Sequence, residues 1–230
     1  MRGRLIVFEG TDGSGKATQS KLLYERLFSD GYNVKKFSFP DYDDPSSTLL
    51  KMYLGGEFGD KPDSVNCYVA SSFFTVDRIA SYLKKWKEDL DSGAIIILDR
   101  YTSSNMVHQT SKLSKDKWDE YLEWLYDFEF IKMQLPAPDL TLYLHVDVDM
   151  SEKMMAKRYS NDETKKDIHE KDSAYLRRCE ESGMYAAKKF DWRIVECVDN
   201  GTLRSIEDIG SEISRHVSML LNDYPLKKEK

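Results

Sequence analysis

The chain predicts a three-layer α/β fold, a mainly parallel five-stranded sheet flanked by helices, on three observations. Strand-like and helix-like runs alternate along the sequence, the order that builds βαβ units. The run AIIIL at 94–98 is continuously apolar, as expected of a parallel strand covered on both faces. A glycine-rich stretch joins the first strand to the first helix. At 230 residues the chain suits one domain, 1–230, carrying an insertion.

Each element has its own signal. RLIVFEG (4–10) starts as a strand and breaks into glycines. KATQSKLLYERL then sets Leu22, Leu23 and Leu27 at helical spacing, which predicts a helix over 16–29. Further strands are expected at NVKKFSFP (33–40), AIIILDR (94–100), DLTLYLHVD (139–147) and RIVECVD (193–199). Helical patterns occupy 65–91, 115–131, 151–159, 172–190 and 205–221. Ligands of such sheets gather beyond the carboxyl ends of the strands, where Gly10, Pro40, Asp99 and Asp147 fall. RYSNDETKKDIHEKD (158–172) is too crowded with charge to bury an apolar face; it reads either as a solvated loop or as a lid bringing cations over a phosphate. PLKKEK at the end reads as a frayed tail.

A net charge of −6 argues against non-specific nucleic-acid binding. Cys67, Cys179 and Cys197 fit neither a disulfide framework nor a zinc pattern, so reduced, mostly buried thiols in a cytoplasmic compartment are expected. LIVF before Glu9 is too short for a secretory segment and no run approaches a membrane span, so no membrane association is expected.

Gly10, Gly15 and Lys16 have the G-x-x-x-x-G-K spacing of a phosphate-binding loop, here 9–18. Between a strand and a helix, the backbone N–H groups of Gly13 to Lys16 point at phosphate oxygens, and Lys16 adds a mobile cation. Ala17 stands where Ser or Thr normally supplies the magnesium hydroxyl, with Thr18 one place later. Asp99 closes the strand IIILD, where P-loop NTPases hold an acid near the metal, and Arg100 follows at once.

FEGTDGSGKATQ, FPDY, FFTVDR and LDRYTSSNMVHQ, in this order and spacing, resemble thymidylate kinase across nearly the whole chain. The resemblance implies a P-loop NTPase fold and phosphoryl transfer from ATP to dTMP, giving dTDP and ADP for dTTP synthesis, with Mg²⁺ accompanying ATP. It implies an ATP site at Gly10, Thr11, Asp12, Gly13, Ser14, Gly15, Lys16, Ala17 and Thr18, with Arg158 against the adenine. It places the monophosphate within 40–110. There Asp12 lies near the acceptor's sugar and phosphate, and Tyr42 near donor phosphates or acceptor sugar. Phe74 stacks on thymine and Arg78 reads the base edge. Arg100 grips the acceptor phosphate, and Ser104, Asn105 and His108 flank sugar and base. Phe74 and Arg78 are four residues apart, which places them on one helix face. Relatives are homodimers.

The chain departs from the family in three places. Ala17 lacks the hydroxyl, so water is expected to complete the metal shell. Gly13 stands where one branch carries a catalytic Arg, so the transfer cation must come from the lid at about 158–172, with Arg158, Lys165 and Lys166 as candidates. Asp41 stands where relatives often have Arg and His108 where many have Tyr, which bears on the phosphate grip and on exclusion of a 2′-hydroxyl. Three other classes share parts of this pattern. A deoxynucleoside kinase needs a carboxylate base after the second strand, for which only Asp41 offers itself. A GTPase switch needs N-K-x-D, which is absent. A catalytically weak nucleotide-binding homologue is motivated by Ala17.

Overall fold

The computed structural model describes residues 2–158, 168–169 and 172–222, apart from the side chains of Lys157 and Arg158. Strands β1 (Arg4–Glu9), β2 (Val34–Ser38), β3 (Ile95–Asp99), β4 (Leu140–His145) and β5 (Arg193–Glu196) form one sheet in the order β2-β3-β1-β4-β5. Every pairing is parallel, with Phe8 opposite Asp99 and Ser38 opposite Asp99 at the carboxyl edge. The side-chain period of two divides the interior strands between two cores. Ile6, Phe8, Ile95 and Ile97 pack with Leu23 and Leu27 of α1 (Lys16–Ser29) and with Ile209, Ile213, Val217 and Leu221 of α9 (Ile206–Leu221). Leu5, Val7, Ile96 and Leu98 face the other way, onto Trp86, Leu90 and Tyr101. The expected sheet and its buried AIIIL strand are therefore observed.

The helical run over 65–91 divides into α3 (Cys67–Ser81), a π-helical turn (Tyr82–Trp86) and α4 (Lys87–Asp91). The 115–131 pattern becomes α6 (Trp118–Tyr126) and a second π-helical turn at Asp127–Lys132. Two helices without a sequence expectation, α2 (Thr48–Leu54) and α5 (Thr102–His108), each contribute to the cleft described below. The last expected strand stops at Glu196; Val198–Asp199 instead pairs antiparallel with Thr202–Leu203. Helices α7 (Val148–Arg158) and α8 (Ser173–Lys189) follow β4.

Two residues of the polar 158–172 stretch correct the expectation that it buries no apolar face. Ile168 packs with Leu50, Tyr53, Leu54 and Ala70, and His169 is 5% exposed. Lys165, Lys166 and the PLKKEK tail lie outside the described residues, as does the side chain of Arg158.

Candidate active site

β1 delivers the chain into the loop with Glu9, and α1 receives it at Lys16. Gly15 precedes the helix at φ 89°, the left-handed region that glycine occupies without steric cost. Gly13 sits at φ 80°, and a Cβ there would meet the Ser151 carbonyl oxygen at 2.8 Å. A side chain at 13 would therefore run into the backbone of α7. Lys16 Nζ turns back onto the carbonyls of Gly10 (2.9 Å) and Thr11 (2.8 Å), and the Thr11 Oγ1 is buried without a partner. Burial, then the nearby Arg100, pushes the Lys16 pKa down to about 8 against the opposing pull of Asp12, Asp99 and Glu9.

Arg100 stands one residue past β3 with φ 69°, a conformation uncommon outside glycine. Its N–H bonds to Phe8 O at 3.0 Å, which ties the turn to β1. The guanidinium faces the loop. Nη2 pairs with Asp12, and Nη1 lies 3.3 Å from Ser104 Oγ, 3.3 Å from His108 Nε2 and 3.5 Å from Glu9 Oε1. Burial alone would raise the Asp12 pKa; Arg100 and Lys16 overcome it and hold the carboxyl well below the usual range. A guanidinium only donates, so His108 Nε2 accepts and Nδ1 carries the proton toward Cys179 Sγ at 3.5 Å. Burial, then Arg100, pushes His108 down to about 3, leaving it neutral.

A cleft of about 670 Å³ opens over these groups. On its donor side stand Asp12, Gly13, Gly15, Lys16, Ala17 and Thr18. Gly10, Thr11 and Ser14 belong to the loop behind that wall. Across from them Phe74 lines the cleft, while Phe73 packs away on Phe58 with ring centroids 5.7 Å apart. Arg78, Arg100, Ser104, Asn105, His108 and the half-exposed Tyr42 complete the sequence-predicted set. Arg78 is not a free reader: it is 1% exposed and forked onto the buried carboxylate of Glu129. Asp41 does not line the cleft; it pairs with Lys85, and its N–H bonds to Asp77 Oδ2 at 2.9 Å.

Three contributors escaped the sequence reading. Glu9, fully buried, accepts from Gly10 N at 2.9 Å and from the Ser103 and Ser104 hydroxyls at 2.7 Å each, joining loop to α5. A carboxylate ending an apolar strand just before the glycines was its available signal. Glu129 lies far along the chain and gave none. His169, inside the polar stretch, stacks on His108 with centroids 5.5 Å apart and bonds to Tyr53 Oη at 2.8 Å.

Asp99 lines the cleft at the tip of β3, 7% exposed, and Thr18 is exposed beside it. Among the described residues no group of three His, Cys, Asp or Glu could hold a metal by itself. One carboxylate beside a phosphate cradle does fit magnesium, which keeps several waters and binds through one or two carboxylates plus substrate phosphates.

Residues 8–213 match the family model described as Thymidylate kinase. Among similar proteins, the thymidylate kinase of Mycobacterium tuberculosis is 29% identical over 177 residues, covering 76% of this chain and 81% of the relative. The human thymidylate kinase is 31% identical over 163 residues, 70% of each chain. The probable thymidylate kinase of Pyrococcus horikoshii is 30% identical over 214 residues, 93% of this chain and 95% of the other. A solved structure of thymidylate kinase from Candida albicans superposes with a TM-score of 0.70 over 96% of this chain and 93% of that one, at 24% identity. With a glycine cradle, an arginine-tipped strand and an aromatic-walled cleft already assembled, this agreement over most of the sequence means that the chain belongs to the thymidylate kinase family.

Proposed function

We infer that the chain transfers the γ-phosphoryl group of ATP to dTMP, giving dTDP and ADP. The observation that carries this reading is the direction of Arg100, whose guanidinium faces the phosphate loop across the cleft. The loop N–H groups and Lys16 hold ATP, with Lys16 exchanging the Gly10 and Thr11 carbonyls for phosphate oxygens. Arg100 holds the acceptor phosphate through Nη1, whose present contacts at 3.3–3.5 Å are loose enough to give way. Asp12, paired with Nη2, keeps that guanidinium aimed. Phe74 supplies the stacking face, and Arg78 with Asn105 the base edge. Mg²⁺, held by Asp99 through water, would neutralise charge on the ATP phosphates.

No strong base is required, because a phosphate monoester oxygen is already largely ionised at neutral pH (second pKa about 6). The site agrees. Its described lining carboxylates are Asp12, engaged with Arg100, and Asp99, while the base candidate of a deoxynucleoside kinase, Asp41, is turned to Lys85. Arg158, Lys165 and Lys166 remain the proposed source of the transfer cation. The direct test is a nucleoside-monophosphate panel with ATP and magnesium, with thymidine included. We expect dTMP to give the highest kcat/KM and thymidine no turnover; a preference for thymidine overturns the reading.

The same reading extends to assembly and compartment. Val69 and Val76, seven residues apart on α3, are 47% and 50% exposed, and Leu83 beyond them is 60% exposed. This apolar stripe supports a homodimer through α3. Val76→Glu should then sediment as a monomer, and an unchanged dimer mass would reject the interface. The three cysteines are free and buried, which supports a reducing, cytoplasmic compartment, and recovery of the protein from an oxidising one on cell fractionation would contradict it. Among the described residues no helix is long and apolar enough to cross a membrane.

A further inference from the structure

Glu129 lies in the π-helical turn after α6, fully buried and outside the cleft lining. Its Oε1 accepts from Arg78 Nη2 and Asn105 Nδ2 (3.3 Å) and lies 2.9 Å from Thr75 Oγ1, whose single proton is shared with Ser71 O at 2.8 Å. Its Oε2 accepts from Arg78 Nε (2.9 Å) and Thr102 Oγ1 (2.7 Å). An ionised carboxylate accepts only, at about four lone-pair sites, so these donors leave it saturated and fix their own orientation.

The consequence for the cleft follows from what each donor has left. Arg78 turns its Nε and one Nη2 N–H to Glu129; its remaining N–H groups lie at the far end, where Nη1 has Tyr101 O at a marginal 3.5 Å. Asn105 turns Nδ2 to Ser71 O and Glu129 Oε1, both at 3.3 Å and both acceptor-only, so its carbonyl Oδ1 is the atom left for the cleft it lines. The cleft is thus lined by a donor end of Arg78 and an acceptor of Asn105. That pair matches the C=O and N–H of a thymine or uracil edge. It mismatches cytosine, which presents an amine and a bare ring nitrogen.

We propose that Glu129 is a positioning residue that sets the base selectivity of the site, holding Arg78 as donor and Asn105 as acceptor toward a pyrimidine lactam edge. The proposal rests on the reading of this cleft as the dTMP site.

Glu129→Gln tests it. The variant keeps the shape but points an amide donor into a cluster of donors, which releases Arg78 and Asn105. Steady-state kinetics at saturating ATP should show the dTMP KM raised about tenfold and the dTMP-over-dCMP preference reduced about tenfold, the scale of one mispaired buried polar contact. The dTMP-over-dUMP preference, which reads only the methyl group, and the KM for ATP should not move. A folded variant with the wild-type dTMP-over-dCMP preference overturns the proposal, as does equal loss of both preferences. Should Glu129→Gln fail to fold, Thr102→Val decides: it deletes one donor to Glu129 without touching the cleft. A shift in the same direction of about threefold supports the proposal, and an unchanged preference overturns it. Wild-type enzyme in the same assay separates the two levels, since absence of dTMP turnover there sinks the functional reading and the proposal with it.

Discussion

Lys16 shows how a single residue carries both the chemistry and a measurable signature. The residue is 7% exposed, and burial with Arg100 nearby depresses its pKa to about 8. The protonated form binds phosphate, so capture of ATP by the free enzyme is complete below that pH and lost above it. The kcat/KM for ATP should therefore fall above pH about 8, because this parameter reports groups of the free enzyme. A profile level through pH about 9.5 would contradict the assignment. His108, held neutral by burial and Arg100, contributes no limb of its own near neutrality. Lys16 was legible in the sequence because its role depends on neighbours within seven positions. Glu129 was not, since its partners Thr75, Arg78, Thr102 and Asn105 lie 24 to 54 residues away and meet only in the fold.

At the scale of elements, β-strands and long helices were readable because their burial repeats over several turns or pleats. α2 and α5 span seven residues each, too short for a period to emerge, and yet they flank the site. The division of 65–91 and 115–131 by π-helical turns leaves the apolar pattern largely intact, so nothing local announced it. Contact between α8 and the sheet illustrates what elements demand of each other. Gly183 sits in α8 where an added Cβ would run into the Tyr143 ring and hydroxyl of β4. Helix propensity favours alanine over glycine by about 1 kcal/mol, but overpacking costs about 1–3 kcal/mol. Gly183→Ala should therefore destabilise the protein in denaturant titration, despite being a better helix former. Because Tyr143 Oη is buried without a partner, Tyr143→Phe should recover part of that loss. A Gly183→Ala protein more stable than wild type would show that α8 does not pack as described.

Over the whole molecule, the parallel sheet brings the ends of β1, β2 and β3 to one edge, and the cleft lies there because loops leave from all three. One half of the cleft is a backbone cradle written in contiguous residues; the other half is collected from α3 and α5, visible only through resemblance to relatives, and from His169, which the fold alone brings there. Arg100 joins the halves. The most direct test of the account is the dTMP-dependent kcat/KM of Arg100→Ala against wild type, with folding checked by thermal melting. The account predicts a loss of about 10²–10³-fold, or ~2.7–4 kcal/mol of transition-state stabilisation, as for removal of a preorganised donor to developing charge. Turnover within a few-fold of wild type in a folded variant would contradict it.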